Sequence, residues 1–367
     1  MSDILLGLLT VSGLAALLAL LLEVADSFLA DYGERHILVN DEKDLVVKGG
    51  RPLLFSMSEN GIFLPSACGG KGTCGYCKIR VLEGGGPLLP TETPFLNQEE
   101  QAARVRISCQ LKVKEDLKVE IPKELFLVKV FRARVERIRR LTPDIKEVRL
   151  TILEPAEGIT FKAGQYIQLE IPAYAHSQGP EFRAYSIASP ADAHNSVELI
   201  ITKVEAGIVS TYVHEFLKED DELTLRGPFG EFYLRDSDRE IVMIATGSGM
   251  APFRAMLAQL RESGSGRKTT LFFGDRRPFD LLYHEELLEL ERVLPDFNYV
   301  PTLSRTTAED QWHGDTGRVT DLIQKNIPDN APIDVYICGA PAMVQSSFDL
   351  LISKGLPAEH IWFDKFD

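Results

Sequence analysis

Four of the chain's five cysteines fall into a pattern whose chemistry can be read from residue types alone. The first three lie in Cys68-Gly69-Gly70-Lys71-Gly72-Thr73-Cys74-Gly75-Tyr76-Cys77, and the fourth, Cys109, follows in Ile107-Ser108-Cys109-Gln110. Glycines at 69, 70, 72 and 75 let a backbone wrap closely around an inorganic core and aim N–H groups at its sulfides. Three thiolates from one loop and a fourth from a distant strand suit a plant-type [2Fe-2S] cluster. Five residues separate the first two cysteines, where the usual plant-type spacing has four. Zinc is the alternative, since four-cysteine zinc sites often use C-x2-C pairs. Only one such pair is present, however, and a glycine-rich loop has no evident purpose around zinc, so the cluster is favoured. A disulfide framework does not fit five cysteines in a chain of this length, and reduced thiolates point to a reducing compartment.

A second group of residues could hold a flavin. In Arg183-Ala184-Tyr185-Ser186, the arginine can bond a pyrophosphate bidentately, the tyrosine can lie against an isoalloxazine ring, and the serine hydroxyl can reach the ring's N5 edge. The same four residues could be strand filler. Two further segments follow in order. Gly207-Ile208-Val209-Ser210-Thr211-Tyr212 opens a helix expected over 209–218, whose N-terminus, with Ser210 and Thr211, suits a phosphate. Gly227-Pro228-Phe229-Gly230-Glu231-Phe232 reads as a bend between strands. Together the three make an FAD site.

A third group reads as a nicotinamide dinucleotide site. The apolar run Ile241-Val242-Met243-Ile244-Ala245, of the kind found in buried parallel strands, leads into Thr246-Gly247-Ser248-Gly249-Met250-Ala251-Pro252 and then a helix expected over 253–262. Glycine amides and a helix N-terminus make a nest for a pyrophosphate. The pattern is G-x-G-x-x-P, a departure from the usual dinucleotide fingerprint. Cys338-Gly339 ends a later strand, where such folds bind ligands, although a lone cysteine also serves as a small buried hydrophobe. NADH is favoured over NADPH, with the reservation that Arg276 and Arg277, after the strand ending at Gly274, could meet a 2′-phosphate.

The elements that must position these residues suggest a multidomain chain. At 367 residues, two or three domains are expected, and 26% charged with 44% hydrophobic residues is ordinary globular material. Residues 36–47 read as strand, turn and strand, and 52–60 as helical, fitting an α+β, β-grasp ferredoxin-type domain over 34–126. Strand-like alternation over 131–153 and 167–171 suggests an antiparallel β-barrel flavin domain over 129–236. Beyond 237 the pattern alternates as βα units, with strands over 269–273, 297–303 and 334–338 and helices over 284–293, 319–325 and 341–354. This predicts an α/β doubly wound nicotinamide domain to the C-terminus. Ahead of these, Ile4 to Leu22 holds nineteen residues without a charge, long enough for one transmembrane helix anchoring the chain within 1–30. Arg35 and Lys43 follow it and no Lys or Arg precedes it, so the positive-inside rule puts the soluble domains on the cytoplasmic side. A net charge of −14 argues against a nucleic-acid partner.

The order of cluster loop, Arg183-Ala184-Tyr185-Ser186, Gly227-Pro228-Phe229-Gly230, Gly247 to Pro252 and Cys338-Gly339 resembles the ferredoxin-NADP reductase superfamily with an N-terminal ferredoxin domain. Within it the chain is similar to the F subunits of Na+-translocating NADH:quinone oxidoreductases, which share the initial membrane helix, the five-residue cysteine gap and stretches such as Gly84-Gly85-Gly86-Pro87-Leu88-Leu89-Pro90-Thr91-Glu92. The resemblance implies that Cys68, Cys74, Cys77 and Cys109 ligate iron and that Arg183, Ala184, Tyr185 and Ser186 hold FAD, together with Gly207, Val209, Ser210, Thr211, Gly227, Phe229 and Gly230. It also implies that Thr246, Gly247, Gly249, Met250, Pro252, Arg276, Cys338 and Gly339 hold NADH, with Ser186 and Cys338 at the reacting centre and Phe366 covering the flavin until nicotinamide displaces it. The implied function is electron input from NADH through FAD and [2Fe-2S] to integral-membrane subunits of a quinone-reducing, sodium-pumping complex in the bacterial inner membrane. One departure stands out: Pro172 to Phe182 is shorter than the corresponding segment of those subunits. A reductase component of a multicomponent oxygenase uses the same modules, usually without the membrane helix. A membrane-anchored ferredoxin with a non-enzymatic docking module is the third possibility.

Overall fold

Period-two apolar alternation governs the first strands of the computed structural model, which describes residues 7, 11–19, 32–294 and 296–365. In β1 (Glu34–Val39) and β2 (Lys43–Lys48) the buried positions are Ile37, Val39, Leu45 and Val47, so one face of the antiparallel pair is apolar. β3 (Lys78–Glu83), β4 (Val105–Ile107) and β5 (Leu117–Glu120) complete a mixed sheet of order β2-β1-β5-β3-β4, with β5 parallel to β1. Helix α1 (Leu53–Glu59) adds Leu53, Leu54 and Met57 to the same core, and a short α2 (Gln98–Ala102) precedes β4. The chain forms two compact units: this one, running to Leu127 apart from residues 67–69, and a second made of those three residues and everything from Val128.

The second unit contains two sheets. β6 (Lys129–Arg140), β7 (Ile145–Glu154), β8 (Tyr166–Ile171), β9 (Glu181–Ser186), β10 (Ser196–Thr202) and β11 (Glu222–Phe229) are antiparallel in the order β10-β7-β6-β11-β8-β9. A bridge between Ile187 and Leu199 joins the two edges, closing the sheet into a barrel around Val135, Leu150, Leu169 and Leu199. Helix α3 (Ile208–Glu215) lies between β10 and β11. It is shorter than the sequence pattern predicts, because Phe216 caps it.

The other sheet is parallel, in the order β15-β14-β13-β12-β16-β17, built from β12 (Glu240–Thr246), β13 (Thr269–Asp275), β14 (Phe297–Leu303), β15 (Asp315–Thr316), β16 (Ile333–Gly339) and β17 (Ile361–Lys365). Alternate residues of β12 enter two different cores. Ile241, Met243 and Ala245 pack with Phe253 and Met256 of α4 (Met250–Ser263) and with Leu287 of α5 (His284–Val293). Val242 and Ile244 pack with Ile323 of α6 (Val319–Asn326) and Leu351 of α7 (Pro341–Ser353). Covering both faces is what a strand of unbroken apolar residues requires. Helix α4 begins at Met250, three residues before the sequence pattern suggests, because Gly247–Gly249 forms a 3-10 turn that feeds directly into it. Pro252 sits in its first turn, where a missing N–H costs nothing.

Of the apolar stretch 4–22, residues 11–19 are helical and exposed, and most of the remainder lies outside the described residues. Among the described residues no helix is long and apolar enough to cross a membrane. The expected anchor is therefore not seen as a spanning helix.

Candidate functional site

The cysteine loop is built by backbone that side chains tolerate poorly. Gly69, Gly70, Gly72 and Gly75 all have φ between 67° and 82°, the left-handed region that favours glycine. A Cβ on Gly75 would run into the ring of Phe95, so that glycine is required by space as well. Cys68, Cys77 and Cys109 are buried and Cys74 is half-buried, and none of the four is in a disulfide. Ser108 N donates to Cys77 O at 2.9 Å, bringing the Cys109 strand end to the loop. Cys77 and Cys109 meet, and the hydrogen bond between their thiols, reinforced by burial, pushes the Cys77 thiol up. Among the described residues no three His, Cys, Asp or Glu side chains converge closely enough to hold a metal ion. The donor set still fits a sulfide-bridged cluster. The buried Ser108 hydroxyl has no partner at full hydrogen-bond geometry but lies near enough to the Cys77 sulfur to favour its thiolate, the form that a cluster would require.

Residues 84–92 are held against β4 by a buried ion pair. Arg106 donates from Nη2 to Glu92 at 2.7 Å and to Pro87 O, from Nε to Glu92, and from Nη1 to Gly85 O and Gly86 O, while Ile107 N donates to Glu92 at 2.9 Å. Glu92 is wholly buried, and this pair fixes the strand whose end leads into Cys109.

In the barrel, Arg183 to Ser186 end β9 beside β8. Arg183 Nη1 donates to Phe182 O at 2.6 Å and lies 3.4 Å from Glu181. Tyr185 is partly covered, and desolvation pushes its phenol up. Helix α3 starts at Gly207 with no side chain capping its N-terminus, leaving first-turn N–H groups for a phosphate. Ser210 closes the turn itself, accepting from Val204 N at 3.1 Å, so its hydroxyl is engaged within the protein and its backbone N–H is the group left to offer. Phe229 is buried and stacked on Tyr166, and Gly230, at φ 93°, lies against the same ring. Gln165 Nε2 fixes this bend by donating to Gly230 O at 3.0 Å. An uncapped helix start, a partly covered tyrosine and an arginine on neighbouring elements fit a flavin dinucleotide.

The parallel sheet brings the remaining residues to its carboxyl edge. Gly247, at φ 52°, turns the chain out of β12, and the close approach of Cys338 O leaves no room for a side chain on Gly249. Gly339, at φ 146°, packs against Thr246 in the same way. Met250 and Pro252 are buried at the start of α4. Cys338 is fully buried, and desolvation, with help from Asp364, pushes its thiol well up. Cys338 and Asp364 are paired across β16 and β17, and Ser186 Oγ donates to Asp364 Oδ2 at 3.3 Å. Asp364 thus stands beside Cys338 in the sheet and within hydrogen-bond reach of Ser186. Phe366 lies outside the described residues.

Several residues of this region carry no motif. Asp364 is one. Asp275, at the end of β13, accepts from Gly247 N at 3.3 Å and from Arg276 N at 2.9 Å, and burial pushes its carboxyl up to about 6. Thr202 Oγ1 donates to Ser248 Oγ at 2.8 Å, tying barrel to glycine turn. A second tie is ionic. Glu147 of β7, 1% exposed, accepts from Tyr283 OH at 2.7 Å, from Arg139 at 2.9 and 3.1 Å, from Arg137 at 3.2 Å and from Arg254 of α4 at 3.3 Å. Desolvation pushes the Glu147 carboxyl up, but Arg139, Tyr283 and Arg254 together hold it below the usual range. Tyr283 stands at φ 58°, a left-handed conformation costing a bulky residue about 1–2 kcal/mol, which its bond to Glu147 offsets. Of the arginines at the edge, Arg277 is tied to Asp310 at 2.8 Å and Arg276 is exposed.

Known proteins show the same parts. Residues 37–114 match the family of 2Fe-2S iron-sulfur cluster binding domains, 132–233 that of oxidoreductase FAD-binding domains and 243–348 that of oxidoreductase NAD-binding domains. FAD, [2Fe-2S] and NADH are accordingly the cofactors of this chain. Among solved structures, an Amycolatopsis cytochrome P450 reductase is 26% identical with a TM-score of 0.72, covering 90% of this chain and 98% of that one. A ferredoxin reductase in carbazole 1,9a-dioxygenase is 25% identical with a TM-score of 0.68, covering 91% and 99%. Among curated relatives, the F subunit of the Na(+)-translocating NADH-quinone reductase of Neisseria meningitidis is 36% identical over 404 aligned positions, covering 99% of each chain, and that of Methylococcus capsulatus is 34% identical over 407 positions and all of both. With identity of this order sustained from end to end, and with cluster, flavin and nicotinamide modules in the same succession, the chain belongs to the family of Na(+)-translocating NADH-quinone reductase F subunits.

Proposed function

We propose that this chain is the NADH-oxidising electron-input subunit of a membrane quinone-reducing complex, passing electrons from NADH through FAD and a [2Fe-2S] cluster to integral-membrane partners. The observation that carries the reading is the Ser186–Asp364–Cys338 constellation, in which barrel and parallel sheet meet at 3.3 Å at the carboxyl edge where a dinucleotide would end. Bound FAD supplies the conversion of a hydride into single electrons. The chain supplies placement. Ser186, its rotamer fixed by Asp364, would offer its hydroxyl to the flavin, Arg183 and the start of α3 would hold the flavin pyrophosphate, and the Gly247–Gly249 turn would hold that of NADH. Cys68, Cys74, Cys77 and Cys109 ligate the cluster. The segment 4–22 anchors the protein in the bacterial inner membrane with its soluble domains in the cytoplasm, and any ion translocation belongs to the partners, because one uncharged helix cannot form an ion path.

A second reading, the reductase of an oxygenase, has its own support in the two oxygenase-system structures that match along nine-tenths of the chain. The alignment of 404 positions against 367 residues also means that the meningococcal relative carries at least 37 residues this chain lacks. Affinity purification from native membranes, with a tag on a linker after Asp367, separates the two. Polytopic subunits co-purifying with NADH-dependent quinone reduction support the first reading. A chain that comes alone or with a soluble oxygenase supports the second.

A further inference from the structure

The residues on either side of Cys109 carry side-chain donors that hydride transfer does not use. Ser108 is held by its backbone from two directions: its N–H donates to Cys77 O at 2.9 Å, and its carbonyl accepts from Leu54 N of α1 at 3.1 Å. That leaves the hydroxyl, which is wholly buried and without a partner at full hydrogen-bond geometry. The Cys77 sulfur lies within its reach. On the other side, Gln110 Nε2 donates to the Cys109 sulfur at 3.7 Å, the longer distance that a sulfur acceptor allows. Gly72 makes room for that amide, since a Cβ there would collide with Gln110 Nε2.

We propose that Ser108 and Gln110 donate hydrogen bonds to the Cys77 and Cys109 sulfurs of the loaded protein and thereby raise the reduction potential of its [2Fe-2S] cluster, making it a better acceptor of electrons from FAD. The inference rests on the reading above that these cysteines ligate the cluster, and it adds how the chain favours the direction of electron flow. The transfer moves one electron from reduced FAD onto the cluster, with no bond made or broken there, and spreads negative charge over the ligand sulfurs. Burial of Cys77 and Cys109 keeps water from that charge and so lowers the potential. A donor aimed at a sulfur stabilises the added charge and acts in the opposite sense.

Packing alone does not account for Ser108. Alanine would fill the same place without a hydroxyl to satisfy, and a buried hydroxyl left unpaired is destabilising. Nor can the hydroxyl be carried elsewhere. β3 and β4 pair with Lys78 opposite Ile107, which sets Cys77 and Ser108 side by side at their strand ends, and with both backbone groups of Ser108 committed its side chain can only turn about Cα–Cβ. Gln110 is half-buried, so water competes for its amide and its effect is the smaller of the two.

The test uses the full-length protein, loaded with FAD and cluster, in detergent. Potentiometric titration of the electron paramagnetic resonance signal of the reduced cluster gives its midpoint. Ser108→Ala is expected to shift the one-electron equilibrium about tenfold toward the oxidised form, a potential lower by about 59 mV. Gln110→Leu should shift it the same way by about threefold, or about 28 mV. Iron content and the FAD midpoint should stay as in the unmodified protein. Because alanine leaves a small void, Ser108→Thr and Ser108→Val form a second pair, alike in shape but for the hydroxyl, and Ser108→Val should lie below Ser108→Thr by a similar step. Resonance Raman spectra supply a signature that packing would not move: the shift of the Fe–S stretches on transfer to heavy water should diminish in Ser108→Ala. Midpoints that do not differ within either pair, at full iron content, overturn the proposal alone. Absence of the reduced-cluster signal from the unmodified protein would instead remove the ligand reading, and the proposal with it.

Discussion

Replacing Glu147 should weaken the reductase unit more than any exposed ion pair could. Its carboxylate is 1% exposed and accepts from four side chains, among them Tyr283 OH at 2.7 Å and Arg139 Nη2 at 2.9 Å. Breaking a buried pair by removing one partner costs about 3–5 kcal/mol, chiefly through the charge left behind. Here that figure must be reduced. Arg137 and Arg139 are 50% and 40% exposed and can rehydrate, and Arg254 keeps Glu198 at 3.1 Å. Tyr283 has no such escape, and a buried hydroxyl left unsatisfied costs about 1–3 kcal/mol. Glu147→Ala is therefore expected to cost about 3 kcal/mol. Glu147→Gln, which keeps an acceptor for Tyr283 and loses the charge, should cost about half of that. Urea titrations followed by flavin fluorescence measure both. The pH dependence supplies a second check. Because the folded carboxyl is held below its ordinary value, its contribution is complete above the unfolded pKa and disappears as pH falls through the folded one. The deficit of Glu147→Ala should accordingly shrink toward acid pH. If both variants lose less than about 1 kcal/mol at neutral pH, the clamp is no stronger than a surface pair and the reasoning fails.

Asp275 should give the opposite pH signature. Its carboxyl is pushed up to about 6, so the stability tied to its protonated form is complete below the unfolded pKa and lost as pH rises through 6. The charge that appears also faces the turn that must hold a pyrophosphate, so KM for NADH should rise between pH 5 and pH 7. In Asp275→Asn that rise should vanish, with a gain of about 1–2 kcal/mol in stability at pH 7 once a weakened hydrogen bond is subtracted. Ser186→Ala should slow hydride transfer to FAD in stopped-flow experiments by about 10²-fold with FAD content unchanged, and Asp364→Asn should act in the same direction but by less. Cys77→Ser should abolish the electron paramagnetic resonance signal of the reduced cluster while NADH–ferricyanide activity stays near that of the unmodified protein. Retention of the signal would remove Cys77 from the ligand set.

The local half of this architecture is legible in the sequence because it is written in periodicities and glycines. β12 announces itself as five apolar residues in a row, and β1 and β2 by alternation, since burial on two faces or on one leaves those marks. Glycine turns are equally open to reading, because a left-handed φ at 247 or a backbone pressed against Gly249 excludes other residues. What escapes is whatever depends on pairing between distant strands. Asp364 gains its place only because β17 lies beside β16, which sets it across from Cys338 and within reach of Ser186, 178 positions earlier. Glu147 reads as an ordinary outward residue of a strand. It is buried because Tyr283 and Arg254, arriving from another sheet's connections, cover the outer face of β7 on which it lies, while its neighbour Val148 points into the barrel core. The arginine edge lies between these cases. Arg276 can be suspected from its position after a strand. Arg305 becomes its neighbour only when β13 and β14 are known to run parallel and in register, with Thr302 beside Gly274 and Leu303 beside Asp275. A one-residue slip of that register would turn Arg305 away from Arg276. The neighbours a residue acquires are thus set by strand register as much as by residue type, and a motif read along the sequence alone records only the second.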